Sequence, residues 1–330
     1  MKTAIVILNW NGVTLLKQFL PSVVANSESV SIYVIDNASE DNSVDFITSN
    51  FPEIELIHLE QNLGYAGGYN EGLKTIKADL ICLMNNDIKV EQGWLQPVLD
   101  AFEQNEDLGA AQPTLLDLNR PDYFEYAGAA GGYIDKYGFP FCRGRLFENL
   151  EQDKGQYDDN SDIFWASGAC LFIRRELFDR LGGFDTRFFA HMEEVDLCWR
   201  LYHKGYAVKH IYQSKVYHLG GGTLSHSSPR KTFLNFRNSL YMLYKNLPAK
   251  YRFKIIFTRL ILDGIAAVKF FFEAQPAHSL AVLKAHLSYY GSFSKLDPVE
   301  NVADRPNKYY YTPSVVWSYF LKGKKTFDRL

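Results

Sequence analysis

Glu193, Glu194 and Asp196 fall within four residues of one another in the run AHMEEVDLCWR. Carboxylates crowded in this way raise one another's pKa, so that one of them can accept a proton near neutral pH, as a general base must. Acids in the first turn of a helix also complement its dipole, and the cluster alone leaves both readings open. Four further polar groups each follow a short apolar run: Asn9-Trp10-Asn11-Gly12, Asp36-Asn37-Ala38-Ser39, Asn62-Leu63-Gly64 and Asn85-Asn86-Asp87. Taken singly, such groups are ordinary turn and cap chemistry. Four in series point to ligand binding outside the carboxyl ends of parallel strands. His218, in VYHLGGGTL, follows a late strand and is a reasonable ligand for a manganese-like ion. His191 precedes the acids and is given no role, since a lone histidine is more often structural.

The elements that would position these residues can be read from periodicity. Residues 4–8, 32–35, 54–59 and 80–84 are short, β-branched apolar runs, and helical patterns cover 13–24 and 41–48. This alternation predicts an α/β fold with a sheet covered on both faces. No GxGxxG follows the first strand and no Walker lysine appears. Gly64, Gly67, Gly68 and Gly72 read as small residues that let a helix pack closely on the sheet. Helices are expected over 231–245, 251–272 and 279–290, with a break at Asn246-Leu247-Pro248. On the second, Lys254, Thr258 and Lys269 share one face while Arg259 and Asp263 fall off it, and five charges argue against a membrane span. The tail from Tyr309-Tyr310-Tyr311 fits no element.

With 330 residues, 47% of them apolar, the chain can bury a full core, and the expected division is a domain over 1–228 and a helical region over 229–330. Cys82, Cys142, Cys170 and Cys198 form no CxxC pair, so reduced thiols are expected. The apolar run before Asn9 is too short for a signal peptide or a span, which predicts a cytoplasmic protein. A net charge of -3 hides an asymmetry: residues 230–262 carry eight basic side chains and no acid, leaving -11 on the remainder. Aromatic residues interleave with those cations, a mixture suited to an anionic membrane surface. The acidic remainder and the lack of a binding motif argue against nucleic acid as the partner. The same helices could instead complete the core or a contact in a homo-oligomer.

The ordered series VILNWNG, VIDNASEDNS, NLGYAGGYNEGL, LMNNDI and GACLFIRRELFDRLGGFDTRFFAHMEEVDLCWR resembles the family 2 glycosyltransferases, in particular the rhamnosyltransferase-like branch that builds bacterial surface polysaccharides. The likeness covers about residues 3–225. It implies a GT-A fold, a mixed Rossmann-like sheet covered by helices. It also implies a UDP- or dTDP-sugar donor, a glycan or lipid-linked glycan acceptor, a divalent cation (Mg or Mn) and inversion at the anomeric carbon. By the same resemblance, Asp87 matches the last acid of the DxD metal motif, whose first acid is here Asn85. His218 matches a histidine that completes the metal shell, with Gly220, Gly221 and Gly222 folding over the diphosphate. Asp36 matches the acid that reads a uracil or thymine base, and Asn9, Asn11, Asn62, Gly64, Asn86 and Trp165 are expected around the donor. Glu193-Glu194-Val195-Asp196 stands where the family has Glu-Asp-x-Asp, which makes Glu194 the expected base, Glu193 its alternative and Asp196 a residue that orients loops or the acceptor. The expected location is the inner face of the plasma membrane. A scaffold that binds nucleotide sugar without turnover, and a nucleotidyltransferase on a related sheet, are the alternatives.

Overall fold

The computed structural model describes residues 1–28, 30–220, 228–299 and 309–330; Gly221 and Gly222 lie outside them. The chain opens with β1 (Thr3–Asn9), α1 (Val13–Ala25), β2 (Ser31–Asp36), α2 (Ser43–Asn50), β3 (Glu55–His58), α3 (Gly64–Gly72) and β4 (Leu80–Asn85). These four strands are mutually parallel. In β1, Ala4 and Val6 join one buried layer while Ile5 and Ile7 join the other. Burial on both faces is why the strand reads as an unbroken apolar run, and each such side chain contributes roughly 1.5–3 kcal/mol. The register pairs Asn9 with Asp36, Leu8 with Asn85 and Asp36 with His58, so the polar strand ends emerge on one edge. Gly72 bears out its expected role: a Cβ there would strike the side chain of Ile35.

The chain continues through β5 (Ile88–Val90), α4 (Gln96–Gln104), β6 (Leu108–Asp117) and β7 (Arg120–Phe124). A small antiparallel sheet follows, made of β8 (Gly132–Ile134), β9 (Pro140–Cys142), β10 (Arg145–Leu146) and β11 (Asn149–Leu150). The main sheet then resumes with β12 (Cys170–Arg174), α5 (Arg175–Arg180), α6 (Glu193–Lys204) and β13 (Ala207–His218). Its order is β3-β2-β1-β4-β12-β6-β13-β5, with β7 paired to β6. Because β12 runs antiparallel to both β4 and β6, the sheet is mixed.

Three long helices complete the structure: α7 (Pro229–Asn246), α8 (Ala249–Phe272) and α9 (Pro276–Gly291). Each starts at or just after a proline, where the missing N–H costs nothing. α8 buries two charged residues, Arg259 and Asp263, beside Ile255 and Ile256. Arg259 and Asp263, which break its amphipathic pattern, form a buried ion pair (2.7 Å), and Arg259 stacks over Phe139 at 3.8 Å. Phe253, Phe257, Ile261, Ile265 and Phe272 are exposed instead. The terminal segment folds back on the small sheet: Tyr309 stacks on Trp199, and the Asp135 carboxylate accepts from the Val315 N–H.

Candidate active site

Pairing of His218 with Ile88 across β13 and β5 brings the end of the last strand to the turn that carries Asn85, Asn86 and Asp87. His218 Nε2 lies 3.0 Å from Asp87 Oδ1 and 3.4 Å from Asn85 Nδ2. The other ring nitrogen, Nδ1, faces Glu125 Oε1 at 3.2 Å. All three charged side chains are buried. Burial alone would lower the His218 pKa, but the carboxylates of Glu125 and Asp87 overcome it and push it up to about 10. Nothing in the local sequence marks Glu125, which follows an edge strand with no motif around it.

The pair Asp87 and His218 fits a divalent cation. Two ligands about 2.1 Å from one ion sit about 3 Å apart when adjacent, and a carboxylate on the far nitrogen of a ligating histidine is the usual orienting partner. Among the described residues no three His, Cys, Asp or Glu side chains converge on one point. The rest of a shell would have to come from ligand phosphates or water.

The other strand-end residues mostly bind one another. Asn9 is fully buried; its Oδ1 accepts from Asn86 Nδ2 (2.9 Å), and its Nδ2 donates to Ser39 Oγ (3.3 Å) and Asp36 Oδ1 (3.4 Å). Asp36, expected to read a base, is 0% exposed, and its Oδ2 accepts from the Ser39 N–H and lies 3.1 Å from His58 Nδ1. Its carboxylate caps the turn after β2, and no acceptor faces solvent. Asn11 Oδ1 accepts from the Glu40 N–H, tying the first two loops together. Asn62 Oδ1 accepts from the Gly64 N–H, and the Phe189 carbonyl accepts from the next two N–H groups, so the start of α3 is closed to an anion. Gly64 itself has φ +72, and the Phe189 ring fills the space of its missing side chain. Asn62 and Gly64 thus shape the start of α3. Trp165 lies in the core over Gly132, with its N–H on the Tyr133 carbonyl. Trp10, which carried no expectation, is 44% exposed beside Asn11.

The three acids separate by environment. Phe189, His191 and Met192, just before α6, all have positive φ, a conformation costing roughly 1–3 kcal/mol per residue. Asn238 of α7 holds the loop by donating to the carbonyls of Phe188, Ala190 and His191. Glu193 is buried with Oε2 unpartnered, and burial, reinforced by Glu194, raises its pKa well above the usual range. Glu194 is half-buried, also with a free Oε2, and burial pushes it up to about 7. Burial works against the Asp196 carboxylate too, but Lys245 and Arg200, both 2.9 Å away, hold it below the usual range. Asn246 Nδ2 donates to its other oxygen. Asp196 therefore docks α7 onto α6 and faces no acceptor, whereas Glu193 and Glu194 carry the unused oxygens. The Cys142 thiol is buried and raised by desolvation, with Arg145 opposing the shift and Glu125 and Glu194 adding to it.

A model of the family described as Glycosyl transferase family 2 matches residues 4–182. The N-acetylglucosaminyl-diphospho-decaprenol L-rhamnosyltransferase of Mycobacterium tuberculosis (strain ATCC 25618 / H37Rv) is 28% identical over 222 residues, 62% of this chain and 71% of that protein. Among solved structures, GalNAc-T7 with UDP, GalNAc and Mn2+ superposes with a TM-score of 0.54 at 16% identity, covering 66% of this chain and 43% of its own. The mannosyltransferase PcManGT of Pyrobaculum calidifontis, with GDP-Man and Mn2+, gives 0.53 at 11% identity, covering 88% and 87%. At those identities the two structures speak to the fold alone, which is the GT-A arrangement.

Proposed function

Because the chain belongs to glycosyltransferase family 2, we propose that it is an inverting transferase that moves a sugar from a UDP- or dTDP-sugar, rhamnose among the candidates, to a hydroxyl of a lipid-linked surface glycan. Two observations support this reading: the half-buried Glu194, with an unpartnered oxygen and a carboxyl pushed up to about 7, and the Asp87–His218 pair at the strand ends. Glu194 accepts the proton of the acceptor hydroxyl as its oxygen bonds to the anomeric carbon. The bond from that carbon to the diphosphate breaks on the opposite face, and the nucleoside diphosphate leaves with the electron pair. Burial, reinforced by Glu194, raises the Glu193 carboxyl well above the usual range, which favours Glu194 over Glu193 as the base. Asp87 and His218 would hold a Mg or Mn ion, which neutralises charge on the departing diphosphate. Asn85 would add an uncharged contact. Asn9 and Asn86 fix the loops that carry this pair, and Asp36 and Asn11 do so for the turn beside it.

Residues 1–228 carry the chemistry in this reading, and residues 229–330 bring the enzyme to an anionic membrane. No described helix is long and apolar enough to cross a membrane. The outward apolar face of α8, bordered by Lys250, Lys254 and Lys269, suits a helix lying at the interface. The diphospho-decaprenol acceptor in the mycobacterial relative's name accords with a substrate presented from a membrane. A panel of nucleotide sugars tested for thermal stabilisation with Mn or Mg, followed by sugar transfer to a polyprenyl diphosphate glycan, tests the reading. Stabilisation without any nucleoside diphosphate release would leave a binding protein rather than an enzyme.

A further inference from the structure

The loop that delivers the acids to α6 runs from Phe188 to Met192, and every one of its carbonyls is committed. The Phe189 carbonyl accepts from the N–H groups of Tyr65 and Ala66, and the Met192 carbonyl from the Asp196 N–H. The other three, on Phe188, Ala190 and His191, converge on Nδ2 of Asn238 at 2.9, 2.9 and 2.7 Å. Asn238 is fully buried in the middle of α7, where an idle amide would be costly. Its orientation is fixed from the other side. Arg237 Nε donates to Asn238 Oδ1 at 2.9 Å, and because a guanidinium only donates, the amide nitrogen must face the loop. The loop needs such a hold, since Phe189, His191 and Met192 all have positive φ.

A peptide unit is planar and trans, so its C=O and N–H point in opposite directions. Asn238 holds the carbonyl of the unit between His191 and Met192, and the Met192 N–H is thereby turned away from it. That N–H, with those of Glu194 and Val195, draws the Glu194 carboxyl down against the burial that raises it. Glu194 in turn bears on Glu193, Tyr65, Cys142 and Cys198, each raised above its ordinary value by burial.

We propose that Asn238 is a positioning residue for sugar transfer: by fixing the peptide between His191 and Met192 it sets where the Glu194 carboxylate points. This rests on Glu194 being the base, as read above. α7 then belongs to the catalytic machinery and is more than a link to the helices that follow it. Without the amide the peptide can turn, the Met192 N–H leaves the carboxylate, and Glu194 both loses its aim and titrates at higher pH. Asn238→Ala, and Asn238→Ser with one donor kept, are compared with wild type in three measurements. These are kcat for transfer, UDP affinity with Mn2+, and the Glu194 titration, read as the difference in melting temperature between each protein and its Glu194→Gln form across pH 4.5 to 9. The expected result is a kcat lower by roughly tenfold to a hundredfold, as misplacement of a reacting group gives. UDP affinity should stay within about twofold of wild type, and the Glu194 midpoint should move up by about half a pH unit or more, with Asn238→Ser between. An unmoved Glu194 midpoint in a folded variant overturns the proposal, whatever stability is lost, and Asn238→Ser decides if Asn238→Ala does not fold. The titration needs no turnover, so wild-type protein that transfers no sugar counts against the transferase reading while the midpoint still judges the clamp.

Discussion

His218 Nε2 and Asp87 Oδ1 lie 3.0 Å apart, with Glu125 held against the opposite nitrogen of the same ring. The arrangement follows from strand register, since β13 must end beside β5 for His218 to face the turn after β4. Asp87→Ala should abolish the manganese dependence of UDP binding. Glu125→Gln keeps the shape but weakens the hold on the ring, and should lower manganese affinity roughly tenfold to a hundredfold. Electron paramagnetic resonance of free Mn2+ titrated with protein and UDP measures both. Equal affinities in the presence and absence of chelator would remove the metal from this site.

Activity should rise with pH. The Glu194 carboxyl is pushed up to about 7, and only its ionised form accepts a proton, so kcat/KM should climb with an apparent pKa near 7. Stability should move the other way. A carboxyl whose folded pKa exceeds its unfolded value favours the folded state below the ordinary glutamate range, and that contribution is lost as pH rises through about 7. Glu193, whose carboxyl burial also raises, adds a slope of the same sign above the ordinary glutamate range. Melting curves from pH 4.5 to 8 on wild type and Glu194→Gln check this, and an unaltered slope in the variant would contradict it.

Asp196 supports the fold rather than the reaction. Asp196→Ala leaves Arg200 without its carboxylate and Lys245 with Asp185 alone, in a buried setting where breaking such a network costs roughly 3–5 kcal/mol. Thermal denaturation should show a drop of several degrees or more, with the manganese and UDP affinities of the folded protein retained. A large loss of those affinities at constant stability would return Asp196 to the site.

The outer face of α8 can be changed without touching the core. Phe257→Glu with Ile265→Glu should reduce binding to anionic phospholipid vesicles in a flotation assay while leaving the melting temperature unchanged, because both side chains are exposed. Unchanged flotation would assign the face to another contact.

What could be read from residues alone followed from local rules. The first four strands and the helices after them were legible because burial on both sides of a sheet leaves continuous apolar runs, and the first two C-terminal helices because the Asn246-Leu247-Pro248 break separates them. The grouping of Glu193, Glu194 and Asp196 was legible, but the separation of their roles was not, since it depends on Lys245, 49 positions further along, and on Asn238 clamping the loop before α6. Glu125 carries no motif and acquires meaning only when the end of β7 comes against His218. Trp165 was expected around the donor from the family resemblance, not from any local rule. Only the packing of Gly132 beneath its ring shows that it faces inward. In α8 the charges that spoil the amphipathic pattern, Arg259 and Asp263, are buried as a pair beside Ile255 and Ile256, which composition cannot reveal.

The most direct measurement is transfer itself with Glu194→Gln. In single-turnover reactions with donor, manganese and a polyprenyl diphosphate glycan, the variant should bind donor as wild type does and transfer sugar about a hundredfold more slowly or worse, as loss of a general base requires. Transfer at the wild-type rate with donor affinity unchanged would show that Glu194 does not take the proton, and that the chemistry assigned to this cleft is wrong.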